Sequence, residues 1–246
     1  MDKIAVTCLG SGAALGRQRL WSSLLIDDRI LLGLPPTVIQ QMYRLGKTPA
    51  TVEHIFISHL HADHHFGLPF FLLLFCYLHE RKEPLYIIGP AGIGQASQQL
   101  FDLAWPGLRG AGILPKVPVE YVEVEASGNL STGSLAFEAV KLKHFDMDAF
   151  GYRFAHKGRQ IAFTGDTGQC SQLDNLLDGA DVVITEFTHV LGVDVDDPGH
   201  LDAVAVTQLT DRLRAQGATI LATHLRGEPA PIDGLLICQD GETYFV

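Results

Sequence analysis

The chain has 246 residues, 47% hydrophobic and 19% charged, which fits one large α/β domain and excludes disorder as the main state. Its 18 basic and 28 acidic side chains give a formal net charge of −10, so there is no general basic footprint for nucleic acid or an anionic membrane, only room for a local patch. Four cysteines (Cys8, Cys76, Cys170 and Cys238) stand far apart with no C-x-x-C pair, which points to reduced thiols and a cytoplasmic location rather than a disulfide framework.

The opening MDKIAVTCLGSG reads as a strand entering a glycine turn, not as a signal peptide. Short β-branched runs predict strands over residues 4–9, 23–26, 54–58, 85–88, 119–124, 135–142, 151–155, 160–164, 182–185, 219–223 and 235–238. Helices are expected over residues 37–45, started near Pro36 and stopped by Gly46, then over 67–79 and 93–104. A short helix follows Ser171, read as its N-cap. The best-formed helix covers residues 202–215, where Leu201, Ala205, Leu209 and Leu213 recur four apart and Gly217 stops it. The most apolar stretch, residues 66–78, falls short of the roughly 20 apolar residues a bilayer needs. It reads as a buried helix or, alternatively, a homodimer face. No linker, low-complexity run or clear short repeat divides the chain, so residues 1–246 are expected to form one domain. Strands and helices interspersed in this way suggest layered sheets with helices outside, but periodicity does not say which layering.

Five of the eleven histidines fall in the twelve residues from His54 to His65. The core reads Ser58-His59-Leu60-His61-Ala62-Asp63-His64-His65, between a predicted strand and a predicted helix, where sites are commonly built. His59 and His61 are two apart, so in extended backbone both rings point to one side and can share a metal ion. Asp63 and His64 are adjacent, point differently, and suit a second ion beside the first. Further ligand types stand singly at predicted strand ends: His144 after LAFEAVKLK, Asp166 in FTGDT, and His224 after TILAT. Imidazole and carboxylate without cysteine suit Zn²⁺, with Mn²⁺ or Fe²⁺ as alternatives. Two such ions supply a water nucleophile near neutral pH and a positive focus inside an acidic protein.

SHLHADHHFG, with His144, FTGDT and ATHL, resembles the metallo-β-lactamase superfamily of dinuclear hydrolases, from Gly10 to His224. The resemblance implies a four-layer αβ/βα sandwich with two divalent metal ions at one edge. It implies His59, His61 and His144 on one ion, Asp63, His64 and His224 on the other, and Asp166 between them. LGSGAA, IIGPAGI, AFGYRF after His144, ITEFT and Gly199-His200 are similar to the ribonuclease Z and phosphodiesterase branch. That similarity implies Glu186 and His200 as a proton-handling pair, counted with Asp63 as catalytic. It also gives Arg17 and Arg19 as candidates to hold a phosphate oxygen. His65 is expected beside the ligands rather than among them, and His54, His79, His156 and His189 as structural or surface residues.

The chain departs from that branch in instructive ways. Common ribonuclease Z enzymes carry a protruding tRNA-binding arm between the third metal motif and the FTGDT-like string, whereas only a short strand connection fits between His144 and Ile161. Leu20 and Trp21 stand where asparagine and threonine are expected, and Leu31-Leu32-Gly33 replaces an Asp-x-Gly. The expected activity is therefore phosphodiester hydrolysis on a small or nucleotide-like substrate, with RNA less favoured and no membrane partner. The alternatives are a tRNA 3′-processing endonuclease that borrows an arm from a partner, or a glyoxalase- or lactonase-type ester or thioester hydrolase. A binding module with a purely structural metal is disfavoured, because structural zinc sites are usually closed, mononuclear and cysteine-rich.

Overall fold

The computed structural model describes residues 3–191 and 197–246. Six strands come first: β1 (Ala5–Gly10), β2 (Ser23–Ile26), β3 (Ile30–Leu32), β4 (His54–Phe56), β5 (Leu85–Pro90) and β6 (Val119–Val124). They lie side by side in chain order. From β3 onward the pairing is parallel, which requires crossovers. Helix α1 (Val38–Arg44), the short α2 (Ala62–His65) with α3 (Leu68–Tyr77), and α4 (Ile93–Ala104) supply them.

The next seven strands form a second sheet: β7 (Gly128–Thr132), β8 (Leu135–Leu142), β9 (Ala149–His156), β10 (Arg159–Phe163), β11 (Val182–Glu186), β12 (Thr219–Thr223) and β13 (Leu235–Ile237). β7 to β10 run antiparallel; β10 to β13 run parallel, crossing through α5 (Ser171–Leu177) and α6 (Ala203–Ala215). The last strand, β14 (Thr243–Phe245), returns to pair with β1 in the first sheet.

Alternation along the central strands explains the layering. Phe56 points into the space between the sheets, while Ile55 and Ile57 point out under α1 and α3. Val182 and Ile184 face inward, and Val183 packs outward under α5 and α6. Strands apolar on both faces belong in sheets covered on both sides. The result is helix, sheet, sheet, helix: the expected αβ/βα sandwich. Among the described residues no helix is long and apolar enough to cross a membrane.

Three strands escape the sequence reading: β3, β7 and β14. The expected helix over residues 67–79 is preceded by a separate turn of helix, α2, which carries Asp63, His64 and His65. Ser171 is the first residue of α5 rather than its cap; Cys170 holds the cap position, and the Ser171 hydroxyl lies 3.3 Å from Gln172 Oε1. Asp202, expected as the first residue of α6, is its cap, accepting the Ala205 N–H at 2.8 Å. The apolar stretch lies half in the core: Phe71 and Phe75 are buried, whereas Phe66 and Phe70 are exposed. Lys157 and Gly158, both at positive φ, close β9 onto β10 in a two-residue hairpin, so this connection carries no arm.

Candidate metal centre

One edge of the sandwich collects the ends of five strands. β4 runs into the loop and turn bearing His59, His61, Asp63 and His64, β8 ends before His144, and β10 before Asp166; β11 ends on Glu186, and β12 leads into His224. The loops carrying His59 and Asp166 are in intimate contact. Gly165 has φ +59°, and a Cβ there would sit 2.2 Å from Ser58 Cβ. The Phe150 N–H donates to the Ser58 carbonyl at 2.9 Å, and the Tyr152 hydroxyl to the Ile57 carbonyl at 2.9 Å, tying β4 to the second sheet.

The seven expected ligands converge there. Donor atoms lie close enough to share an ion in five overlapping groups: two match the expected sets, His59, His61 and His144, and Asp63, His64 and His224; one joins His59, His64 and Asp166; and two include His200, with His144 and Asp166 or with Glu186 and His224. His61 Nδ1 lies 2.9 Å from His59 Nε2 and 3.2 Å from His144 Nε2. Asp63 Oδ2 lies 3.4 Å from both His64 Nε2 and His224 Nε2. Asp166 Oδ2 reaches both expected sets, at 3.1 Å from His64 Nε2, 3.2 Å from His224 Nε2 and 3.8 Å from His59 Nε2.

The surrounding hydrogen bonds fix how two of these rings are protonated. The Gly199 carbonyl can only accept, so at 2.8 Å it takes the Nδ1 proton of His144. The Thr188 hydroxyl donates to Glu186 Oε2 at 2.6 Å and so accepts from His224 Nδ1 at 2.8 Å. Both rings then turn Nε2 inward, that of His144 toward His61 Nδ1 and that of His224 toward the Asp63 and Asp166 carboxylates. Ring nitrogens and carboxylates crowded into one buried space suit cations, and outer hydrogen bonds of this kind orient metal-binding histidines. His224 is held for this at φ +57°, a strained backbone conformation of the sort that gathers at functional sites.

The charge states agree. Burial, with the neighbouring imidazoles, pushes the His59, His61 and His144 pKa values down, leaving neutral rings, the form that ligates metal. His64 goes the other way. Burial alone lowers its pKa, but the Asp166 and Asp63 carboxylates outweigh burial and raise it to about 10. Both carboxylates are held below the usual range by facing His64 and His224, against the opposing effect of burial. Without metal, then, His64 is an imidazolium up to about pH 10, and an ion taking its place must expel that proton. Metal affinity is therefore expected to rise with pH through the neutral range, with proton release on binding. Calorimetry in buffers of differing ionisation enthalpy counts those protons; binding without release would contradict this account of His64.

Beside the ligands, Glu186 is buried and accepts from the Thr167 N–H at 2.6 Å and from the Thr188 and Leu201 N–H groups at 3.2 Å each. Its Oε1 lies 2.9 Å from His200 Nδ1. Burial lowers the His200 pKa, but the Glu186 charge reverses the effect and lifts it to about 9. The His200 ring lies 4.9 Å from that of His144 and 5.5 Å from that of His224. His65 is outside the ligand groups, its Nδ1 2.9 Å from the His61 carbonyl. His54 stacks on Tyr86, and His156 bonds Asp27 at 2.7 Å.

Arg19 is a correction. Its guanidinium donates to both Glu228 carboxylate oxygens, to Ser11 Oγ and to the Cys238 carbonyl, so its fork is committed to bracing loops rather than to a phosphate. Arg17 is exposed and lines a cavity of about 320 Å³ with Arg19, Arg226 and Glu228. The sequence reading quoted Thr188 within ITEFT and Gly199 beside His200 but gave neither a role; they hydrogen-bond the His224 and His144 rings. Each is within two residues of a candidate it did single out, Glu186 and His200.

Residues 26–225 match the family described as the β-lactamase superfamily domain. The chain belongs to the β-lactamase superfamily. It is 28% identical over 200 residues to a ribonuclease Z of Metallosphaera sedula, covering 65% of this chain and 66% of that one. It is 34% identical over 169 residues to a ribonuclease Z of Salinibacter ruber, covering 65% of this chain but only 50% of the relative. The crystal structure of the short form of human tRNase Z superposes with a TM-score of 0.76 at 22% identity, over 98% of each chain, a likeness of fold. The relatives named here are ribonuclease Z enzymes, and the chain resembles them over part of their length. Its fold and buried donor cluster are those of a metal-dependent hydrolase.

Proposed function

We propose that this β-lactamase superfamily member is a phosphodiesterase working with two divalent ions, Zn²⁺ by the donor chemistry with Mn²⁺ or Fe²⁺ as alternatives, and that residues 1–246 act as one domain. The observation carrying this reading is the convergence of five histidine ring nitrogens and two carboxylates on one buried space. His59, His61 and His144 would hold one ion, Asp63, His64 and His224 the other, with Asp166 facing both. When bound, the ions supply a water nucleophile and neutralise the anionic ester.

The chain's own residues account for the remaining steps. Asp63 keeps His64 and His224 turned to the centre. Arg17, exposed on the surface, would offer a guanidinium to a phosphate oxygen. His200, oriented through Nδ1 by Glu186, presents its other nitrogen to hand a proton to the leaving oxygen. The two-residue hairpin at Lys157-Gly158 favours substrates smaller than tRNA.

Metal-loaded protein assayed on bis(p-nitrophenyl) phosphate, a thioester, a lactone and a precursor tRNA is expected to turn over the phosphodiester fastest. Turnover of the lactone or thioester alone would overturn the reading. Accurate 3′ cleavage of the precursor would favour instead the activity for which the relatives are named.

A further inference from the structure

Phe145 directly follows the candidate ligand His144, and three observations set it apart. Its φ is +50°, within the turn closed by the Met147 N–H on the His144 carbonyl at 3.1 Å. Glycine, asparagine and aspartate dominate such positions, and a bulky aromatic there is an outlier held at an energetic cost. The residue is also 48% exposed, so burial does not repay that cost in full. Finally, its ring tip rests on Gly199, where a Cβ would lie 2.7 Å from ring carbons; the neighbouring chain leaves room for it.

The ring stands at the centre's mouth. Its centroid is 4.8 Å from that of His144 and 5.8 Å from that of His200. A leaving group that takes its proton from His200 would lie beside Phe145. We propose that Phe145 is a specificity-determining residue that stacks on a planar aromatic group of the substrate, a nucleobase or an aryl ester group, on the leaving-group side. This rests on the reading of the centre as a phosphodiesterase site with His200 as proton donor. An aromatic face is sequence-tolerant toward bases, so the device selects the presence of a base rather than its identity.

Binding is tested by calorimetry on metal-loaded protein, with adenosine 5′-monophosphate, phenyl phosphate and ribose 5-phosphate as probes. Adenosine 5′-monophosphate is expected to bind about tenfold or more tighter than ribose 5-phosphate. F145L, which keeps apolar cover over Gly199, and F145G, which relaxes the backbone, should both erase that preference while leaving ribose 5-phosphate affinity unchanged. F145W should retain it. A phenyl phosphate advantage equal to that of the nucleotide identifies the aryl source; an advantage for the nucleotide alone identifies the base. Equal binding of nucleotide and sugar phosphate to the unmodified protein, or a preference that survives in F145L and F145G, overturns the proposal. Turnover of bis(p-nitrophenyl) phosphate is scored separately, so failure of the phosphodiesterase reading is distinguishable from failure of the stacking role.

Discussion

Replacing Asp166 by alanine is expected to lower metal affinity by more than a hundredfold at the centre and to abolish hydrolysis with it. Loss of an outer hydrogen-bond partner alone typically costs ~10–100-fold in metal affinity, and Asp166 is no outer partner. Its Oδ2 lies within 3.8 Å of ring nitrogens from both ligand groups. Its removal leaves Asp63 as the one carboxylate among the six remaining side chains, facing two divalent charges with neutral imidazoles for company. The metal-free chain suffers as well. The imidazolium of His64 loses its nearest buried counter-charge, a change that costs ~3–5 kcal/mol when a buried pair is broken. D166N separates charge from shape, since it keeps the side-chain outline and loses the negative charge. Metal content by elemental analysis and rate on a phosphodiester are the two readouts. A D166A protein that holds two ions per chain and turns over normally would remove Asp166 from the centre.

The centre is legible in the sequence to unequal depth. Five histidines within twelve residues mark the loop after β4 by density alone. His144, Asp166 and His224 are single residues in unremarkable contexts, and only resemblance ties them to that loop. What binds them physically is topology: parallel strands deliver their carboxyl ends to one edge, and pairing order is invisible to local periodicity. The missed strands fail for related reasons. β7, with the sequence GNLST, has poor strand propensity and exists because β8 pairs with it. β3 and β14 are three residues each, too short to alternate recognisably. The α2 turn is spelled ADHH, residues serving the centre rather than helix formation. Arg19 looks like a substrate hook in sequence because its partners, Glu228 and Cys238, lie more than two hundred positions away.

Replacing His200 by alanine should leave both ions in place and slow turnover by about 10²–10⁴-fold, the usual span for a general acid. The geometry separates the two effects. His200 Nδ1 is taken up by Glu186 Oε1 at 2.9 Å, and the His59, His61 and His144 group and the Asp63, His64 and His224 group are each complete without it. The Glu186 carboxylate, set by three backbone N–H groups, raises the His200 pKa and holds the ring in one orientation. A general acid matters in proportion to the basicity of the oxygen it protonates. The penalty in H200A should therefore be large for an alkyl or nucleoside leaving group and small for p-nitrophenolate. E186Q should give an intermediate loss with the same leaving-group dependence, because the amide still orients the ring but no longer holds its proton. The pH profile carries the sign: the protonated fraction of His200 falls as pH rises through its pKa, so the alkaline limb of the rate reports it, and H200A should flatten that limb. Loss of metal in H200A, or an equal penalty across leaving groups, would make the Glu186–His200 pair a structural strut rather than a proton donor.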